Sequence, residues 1–289
     1  MERGNATGEI NKPFWRFLGG VKSFYKRGDF VKKRGHFCPA RRICVAEVMD
    51  MVGELICLEE KGRGRLERVR LGPLPAVRWT LYAPEGLADW RLRRRLRRAE
   101  RELLAHGVGR VVLSRDFLYG DRLRRLRPVD TLPLWRGLAD VLALGALDAM
   151  GIPYCRGRVA LSAPRLCGEL TGAAERLCPL VRGLLIDAPG GEDYARYLQA
   201  KFGLPVTPPA AGADVTAAFG PSGGRWGWRL ELHGQTDLGG LAVSAEGMDL
   251  PPDCAGQVLA LLWEQGELKP ERLIVRPAEY APSILTDME

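Results

Sequence analysis

The sequence predicts an α/β protein built on a mostly parallel sheet. Three observations carry this. Short apolar runs alternate with helical segments along residues 158–219, the pattern that produces parallel pairing. Glycine and proline punctuate nearly every boundary between them. Of the 289 residues, 46% are hydrophobic and 27% charged, an ordinary globular balance.

In chain order, VGELICLE and RLERVRL read as two strands of a hairpin over residues 52–71, turning at Lys61-Gly62-Arg63-Gly64. A third strand follows at Val77–Tyr82, where Val77, Trp79 and Leu81 alternate with more polar neighbours. Gly86–His106 is the clearest helix. Leu92, Leu96, Ala99 and Leu103 form its apolar face, and Arg91, Arg93, Arg94, Arg95, Arg97, Arg98 and Arg101 cover most of the rest. Gly107 and Gly109 end it, before a short strand at Arg110–Ser114. One long helix is expected after Asp130 or Thr131, with Pro133 in its first turn, running to Gly151. Strands at 158–163, 181–187, 204–207 and 213–219 then alternate with helices at 165–178 and 191–202. Trp226–His233, Leu241–Ala245 and Arg272–Arg276 read as further strands and Asp253–Gln265 as a helix.

The formal charge of +8 is unevenly distributed. Residues 1–46 carry all of it, residues 47–60 are −5, residues 61–127 are +12 and residues 128–289 are −7. Six of eight lysines lie at or before Lys61, and the first 48 residues show no helical or strand period. The expected organisation is therefore a poorly ordered basic extension (1–48), an N-terminal α/β lobe (49–130), a second α/β lobe (131–277) and a tail (278–289). The basic first half and acidic second half are expected either to attract each other or to leave a basic face in solvent. No run of 18 apolar residues exists for a membrane helix. No apolar leader with a cleavage site is evident, and seven cysteines without framework spacing fit reduced thiols, so the expected location is cytoplasmic.

The stretch from Arg158 to Ser222 resembles a Rossmann-type NAD(P)-binding domain, most nearly that of shikimate dehydrogenases and glutamyl-tRNA reductases. RVALSA stands where the first strand would be, and VRGLLIDA where the second ends in an acid. GEDYARYLQAKFGLPV matches the next helix and strand, and ADVTAAFGPSG the strand and loop that reach the nicotinamide. The resemblance implies a Rossmann-like lobe and NAD or NADP as cofactor, with Asp187 at the ribose. It also places Ser162, Ala163, Arg165, Gly168, Gly220 and Ser222 around the phosphates and nicotinamide. The glycine fingerprint of those families is absent. The corresponding run is Ser162-Ala163-Pro164-Arg165-Leu166-Cys167-Gly168, in which Pro164 offers no N–H, Ala163 adds a Cβ, and Gly168 alone is left to pack helix against strand. The alternative role for Asp187 is to cap the next helix.

Catalytic residues are not apparent. The Lys–Asp pair or nucleophilic cysteine of those two families sits in motifs missing here; Lys61 reads as a turn residue and Cys57 as core. His36, Cys38, Cys44 and Cys57 lack the paired knuckle spacing of a zinc site, so no metal is expected. The glycine-rich Gly220–Arg225 loop lacks the Gly-Lys-Ser/Thr of a P-loop. His106 and His233 are isolated, and no serine lies in a nucleophile elbow. The expected function is a non-catalytic scaffold, regulator or anion and nucleotide binder. The alternatives are an NAD(P)-dependent oxidoreductase with an atypical phosphate turn, and a nucleic-acid-associated protein using helix 86–106. The nucleic-acid reading is not favoured, because no aromatic platform accompanies the arginines.

Overall fold

The computed structural model describes residues 51–203, 212–221, 224 and 226–278. Its first sheet contains β1 (Val52–Leu58), β2 (Arg65–Leu71), β3 (Leu74–Tyr82), β4 (Arg110–Leu113) and β5 (Arg127–Pro128), in the order β2-β3-β1-β4-β5. The expected β1–β2 hairpin does not form. β3 inserts between them, parallel to β1 from Val52↔Ala76 to Leu58↔Tyr82 and antiparallel to β2. The tight turn is Gly72-Pro73, between paired Leu71 and Leu74, where Gly72 supplies φ +57°. The physical reason is burial. β1 is buried over Val52–Leu55 and needs a neighbour on each side, whereas β2 alternates exposed charges with partly covered apolar residues and suits an edge. Glu54 is buried in β1 only because its register partner Arg78 meets it with two hydrogen bonds, at 2.6 and 3.1 Å.

α1 (Asp89–Ala105) links β3 to β4 and buries Leu92, Leu96, Ala99 and Leu103, the face its spacing predicts. It also buries Glu100, whose carboxylate accepts the backbone N–H groups of Arg124 (2.6 Å) and Arg125 (2.7 Å). The long helix expected to follow is two: α2 (Leu132–Gly137) and α3 (Ala139–Ala149). The break falls where Arg176 donates to the Gly137 carbonyl (3.0 Å) and where a Cβ on Gly137 would lie 3.2 Å from the Trp263 ring. Of the two expected caps, Thr131 stands at the N-cap of α2 without a side-chain cap bond, and Asp130 accepts the Leu132 N–H at 2.9 Å.

The second sheet comprises β6 (Arg158–Ser162), β7 (Gly183–Asp187), β8 (Val215–Ala218) and β9 (Trp228–Glu231), all parallel, in the order β7-β6-β8-β9. α4 (Gly168–Leu177) and α5 (Gly191–Phe202) follow β6 and β7. The strand expected at 204–207 lies outside the described residues. β10 (Leu241–Ala245) and β11 (Leu273–Pro277) form an antiparallel pair, joined through α6 (Ala255–Glu264). Fold class is thus α/β with a mostly parallel sheet, as expected. The strand order reverses at β6, which leads to β7 on one side and to β8 on the other, the arrangement that makes a switch point in Rossmann-like sheets.

α3 is apolar nearly all round and lies against β8, β9 and β11. Its Gly145 is required by that approach, since a Cβ would sit 2.4 Å from Val275 of β11. One face of the first sheet packs on α1 through Leu55, Val77, Trp79 and Leu81. The other face contributes Val52, Leu71, Leu74, Ala76 and Val112 to a core shared with α2, α3, α6 and the second sheet. Gln257 of α6 fixes that junction, accepting from Leu113 N–H (2.9 Å) and donating to Leu113 C=O (2.8 Å). Across the two halves, Arg110 pairs with Glu264. Among the described residues no helix is long and apolar enough to cross a membrane.

Candidate functional site

The switch point lies at the carboxyl ends of β6 and β8, where open α/β sheets receive ligands. Ser162 is fully buried between Asp187 of β7 and Ala218 of β8, its register partners. The Ala163 N–H donates to the Asp187 carbonyl (3.0 Å), and the Phe219 N–H donates to the Ser162 carbonyl (2.8 Å). Three strand ends are thereby brought together. The turns that follow also touch, since a Cβ on Gly220 would lie 2.3 Å from Pro164 Cδ. The residues expected at one crevice are therefore adjacent, although they were 57 positions apart at Ala163 and Gly220.

What those residues do there differs from a dinucleotide site. The Asp187 carboxylate accepts the backbone N–H of Gly224 at 2.7 Å, so the β8–β9 connection reaches across β6 to the end of β7. Asp187 does not cap the next helix either: α5 has Gly190 at its N-cap, without a side-chain cap bond. Arg229 of β9 fastens the same residue, donating to the Gly224 carbonyl at 3.2 Å. Gly224 admits no side chain, as a Cβ would meet Trp226 at 1.9 Å. The Gly168 expected to pack helix on strand has nothing within 4 Å of a Cβ position and instead begins α4 at the surface. Arg165 is exposed, and Ser222, Gly223 and Arg225 lie outside the described residues.

Two further residues complete the site, and both escaped the sequence reading. Glu169 stands in the first turn of α4, where a pyrophosphate would use the helix N-terminus. Its own backbone N–H, then the Cys167 thiol, hold its carboxyl below the usual carboxylate range, and Arg136 adds attraction against the opposing effect of burial. Arg136 of α2 donates to the carbonyls of Leu232 (2.8 Å) and Phe219 (3.1 Å), pinning the ends of β9 and β8. The available signal was an arginine set in the apolar run LWRGLADVLALG.

The donor set does not fit NAD or NADP held in the ordinary way. Pro164 has no N–H to give, Ala163 presents a Cβ, Gly220 is packed on Pro164, and Asp187, the acid expected at the ribose, accepts from Gly224. Of the four residues considered for zinc, Cys57 lies on β1, while His36, Cys38 and Cys44 are outside the described residues. Among the described residues there is no group of three metal-ligating side chains.

No family model and no curated protein matches the chain. Among solved structures it is similar to L-tryptophan dehydrogenase from Nostoc punctiforme, at 16% identity and a TM-score of 0.26. That match covers 58% of this chain and 56% of the dehydrogenase, so it spans just over half the length of either. A superposition that loose carries no argument about activity.

Proposed function

We propose that residues 131–277 form a Rossmann-like lobe whose dinucleotide crevice is closed by the protein's own loop, and that the protein is a non-catalytic binding or scaffolding protein. The observation that carries this is the Asp187–Gly224 hydrogen bond spanning β6. A carboxylate that has found a fixed internal donor has to surrender it before it can accept ribose hydroxyls, and the loop has to leave with it. Glu169 at the α4 N-terminus acts in the same direction, since its negative charge already occupies the end of the helix that favours anions. The same reading puts the protein in the cytoplasm, supported by five described cysteines that are all unpaired.

The test is a thermal-shift titration with NAD and NADP. A ligand with Kd of about 0.1 mM, present at about 1 mM, adds about 1.4 kcal/mol to the folded state and moves the midpoint by several degrees. No movement is expected with either dinucleotide. A shift that Asp187→Ala abolishes would establish dinucleotide binding at this crevice and overturn the closed-crevice reading.

A further inference from the structure

α1 turns its arginines away from the core, and its environment is more than a solvated charged face. Arg94, Arg97 and Arg101 are exposed and take part in no ion pair among the described residues. Arg98 has one acidic neighbour among the described residues, Glu102 at 3.9 Å, and its guanidinium lies 6.0 Å from the Trp79 ring. Arg94, Arg98 and Arg101, with Trp90, Arg91 and Arg95, line an open cavity of about 640 Å³ in which Glu102 is the acidic member. Trp90 is 61% exposed, and the Arg91 guanidinium lies 5.2 Å from its ring. The aromatic platform missing from the sequence reading is thus present beside the arginines, at the start of the same helix.

A second cavity of about 140 Å³ adjoins the first through Arg95 and Arg98. Its other side is the β1–β2 connection, where Gly62 and Gly64 rest on the rings of Tyr82 and Trp79. A Cβ on either glycine would approach those rings to 2.4 Å, so the loop can lie there only as glycine. Among the described residues, no backbone N–H of Lys61, Gly62, Arg63 or Gly64 donates a hydrogen bond within the protein. The indole N–H of Trp79, a residue only 4% exposed, also meets no acceptor. Arginine guanidiniums and unused amides side by side make a phosphate-binding surface.

We propose that the arginine face of α1, together with the Lys61–Gly64 loop, binds single-stranded nucleic acid, with phosphates along the arginines and a base stacked on Trp90. The groove is open rather than enclosed and its lining runs along α1 from Trp90 to Glu102, which suits a chain of phosphates better than a small ligand. A lipid surface fits poorly, because the apolar face of α1 (Leu92, Leu96, Ala99, Leu103) is already buried in the core and cannot enter a membrane. This inference is independent of the closed crevice and stands whatever NAD or NADP does.

The experiment uses the full chain and a fluorescently labelled 20-nucleotide oligouridylate, followed by anisotropy from about 50 to 200 mM salt. Binding is expected to weaken linearly on a logarithmic salt plot. The double variant Arg94→Ser/Arg101→Ser should bind at least about tenfold more weakly, with the slope reduced by about 1.4. Trp90→Ala should lose about tenfold at unchanged slope, and Trp90→Phe should recover most of it. Arg94→Lys/Arg101→Lys should stay within about threefold of the parent, which separates charge from any damage to the helix. Thermal midpoints of all four variants check that each is folded. Absence of binding at 50 mM salt overturns the proposal. So does salt-sensitive binding that Arg94→Ser/Arg101→Ser and Trp90→Ala both leave intact, since another surface, such as the basic residues 1–50, then carries it. Vesicles rich in phosphatidylserine that bind with the same variant sensitivity, while the oligonucleotide does not, overturn it in favour of lipid.

Discussion

At the carboxyl ends of β6 and β8, Asp187, Arg136 and the α4 N-terminus have partners within the chain, whereas Arg94, Arg97 and Arg101 of α1 have no acidic partner among the described residues. Asp187 is taken by Gly224, Arg136 by two strand-end carbonyls, and the α4 N-terminus by Glu169. The loop amides beside these α1 arginines donate to none of the described residues. Both regions present charge beside a mostly parallel sheet, one at strand ends and the other on a helix covering a face. The difference shows that a site is better judged by which polar groups lack partners than by where the fold family keeps its ligand.

The largest effect should come from disturbing the closure of the crevice. Gly227 has φ +53°, and a Cβ there would lie 1.9 Å from the Asp214 carbonyl oxygen. Gly227→Ala should therefore cost about 3 kcal/mol, combining a disfavoured backbone conformation with backbone overpacking, as read by chemical denaturation. A loss under about 0.5 kcal/mol would mean that the β8–β9 connection is not held where it is seen. Asp187→Ala should cost less, about 1.5 kcal/mol, the net worth of a hydrogen bond to a charged acceptor, and should speed amide exchange at Gly224. If exchange at Gly224 is already as fast in the parent, the latch does not exist.

A smaller effect belongs to Glu169. Its carboxyl lies below its ordinary value of 4.5 in the folded protein, so ionisation favours the folded state. That contribution is complete above pH 4.5 and is lost as pH falls through the lower folded value. The thermal midpoint should fall over that acid range, and Glu169→Gln should flatten the fall measurably. A parallel pH profile in the variant would remove Glu169 from the account of the helix terminus. The α1 variants mark the other pole of the comparison: Arg94→Ser/Arg101→Ser should leave stability within about 0.5 kcal/mol while changing only binding.

Much of the architecture was legible locally. The 4-3-4 spacing of Leu92, Leu96, Ala99 and Leu103 located α1 and its buried face, and the apolar runs at 158–163 and 181–187 located two adjacent parallel strands. The adjacency of Ser162 and Gly220 was legible too, through the layout of a known domain. The failures have one character. Reading residues 52–71 as a hairpin assumed that sequence neighbours pair, but a doubly buried β1 required β3 beside it. Reading 131–151 as one helix could not register Arg176, which reaches the Gly137 carbonyl from α4. Trp90 was visible as a letter, but nothing local shows whether a tryptophan at the first turn of a helix is buried or open.

By itself the sequence determined the α/β class, the apolar face of α1 and the absence of phosphate-turn glycines, because each follows from residue type and short-range period. Only the tertiary structure decided which strands pair, that the Gly224 N–H donates to Asp187, and that the α1 arginines stand beside an open tryptophan and loop amides without acceptors among the described residues. The reason is that hydrogen-bond satisfaction is settled between residues far apart in the chain, and no local pattern records which distant donor a carboxylate finds.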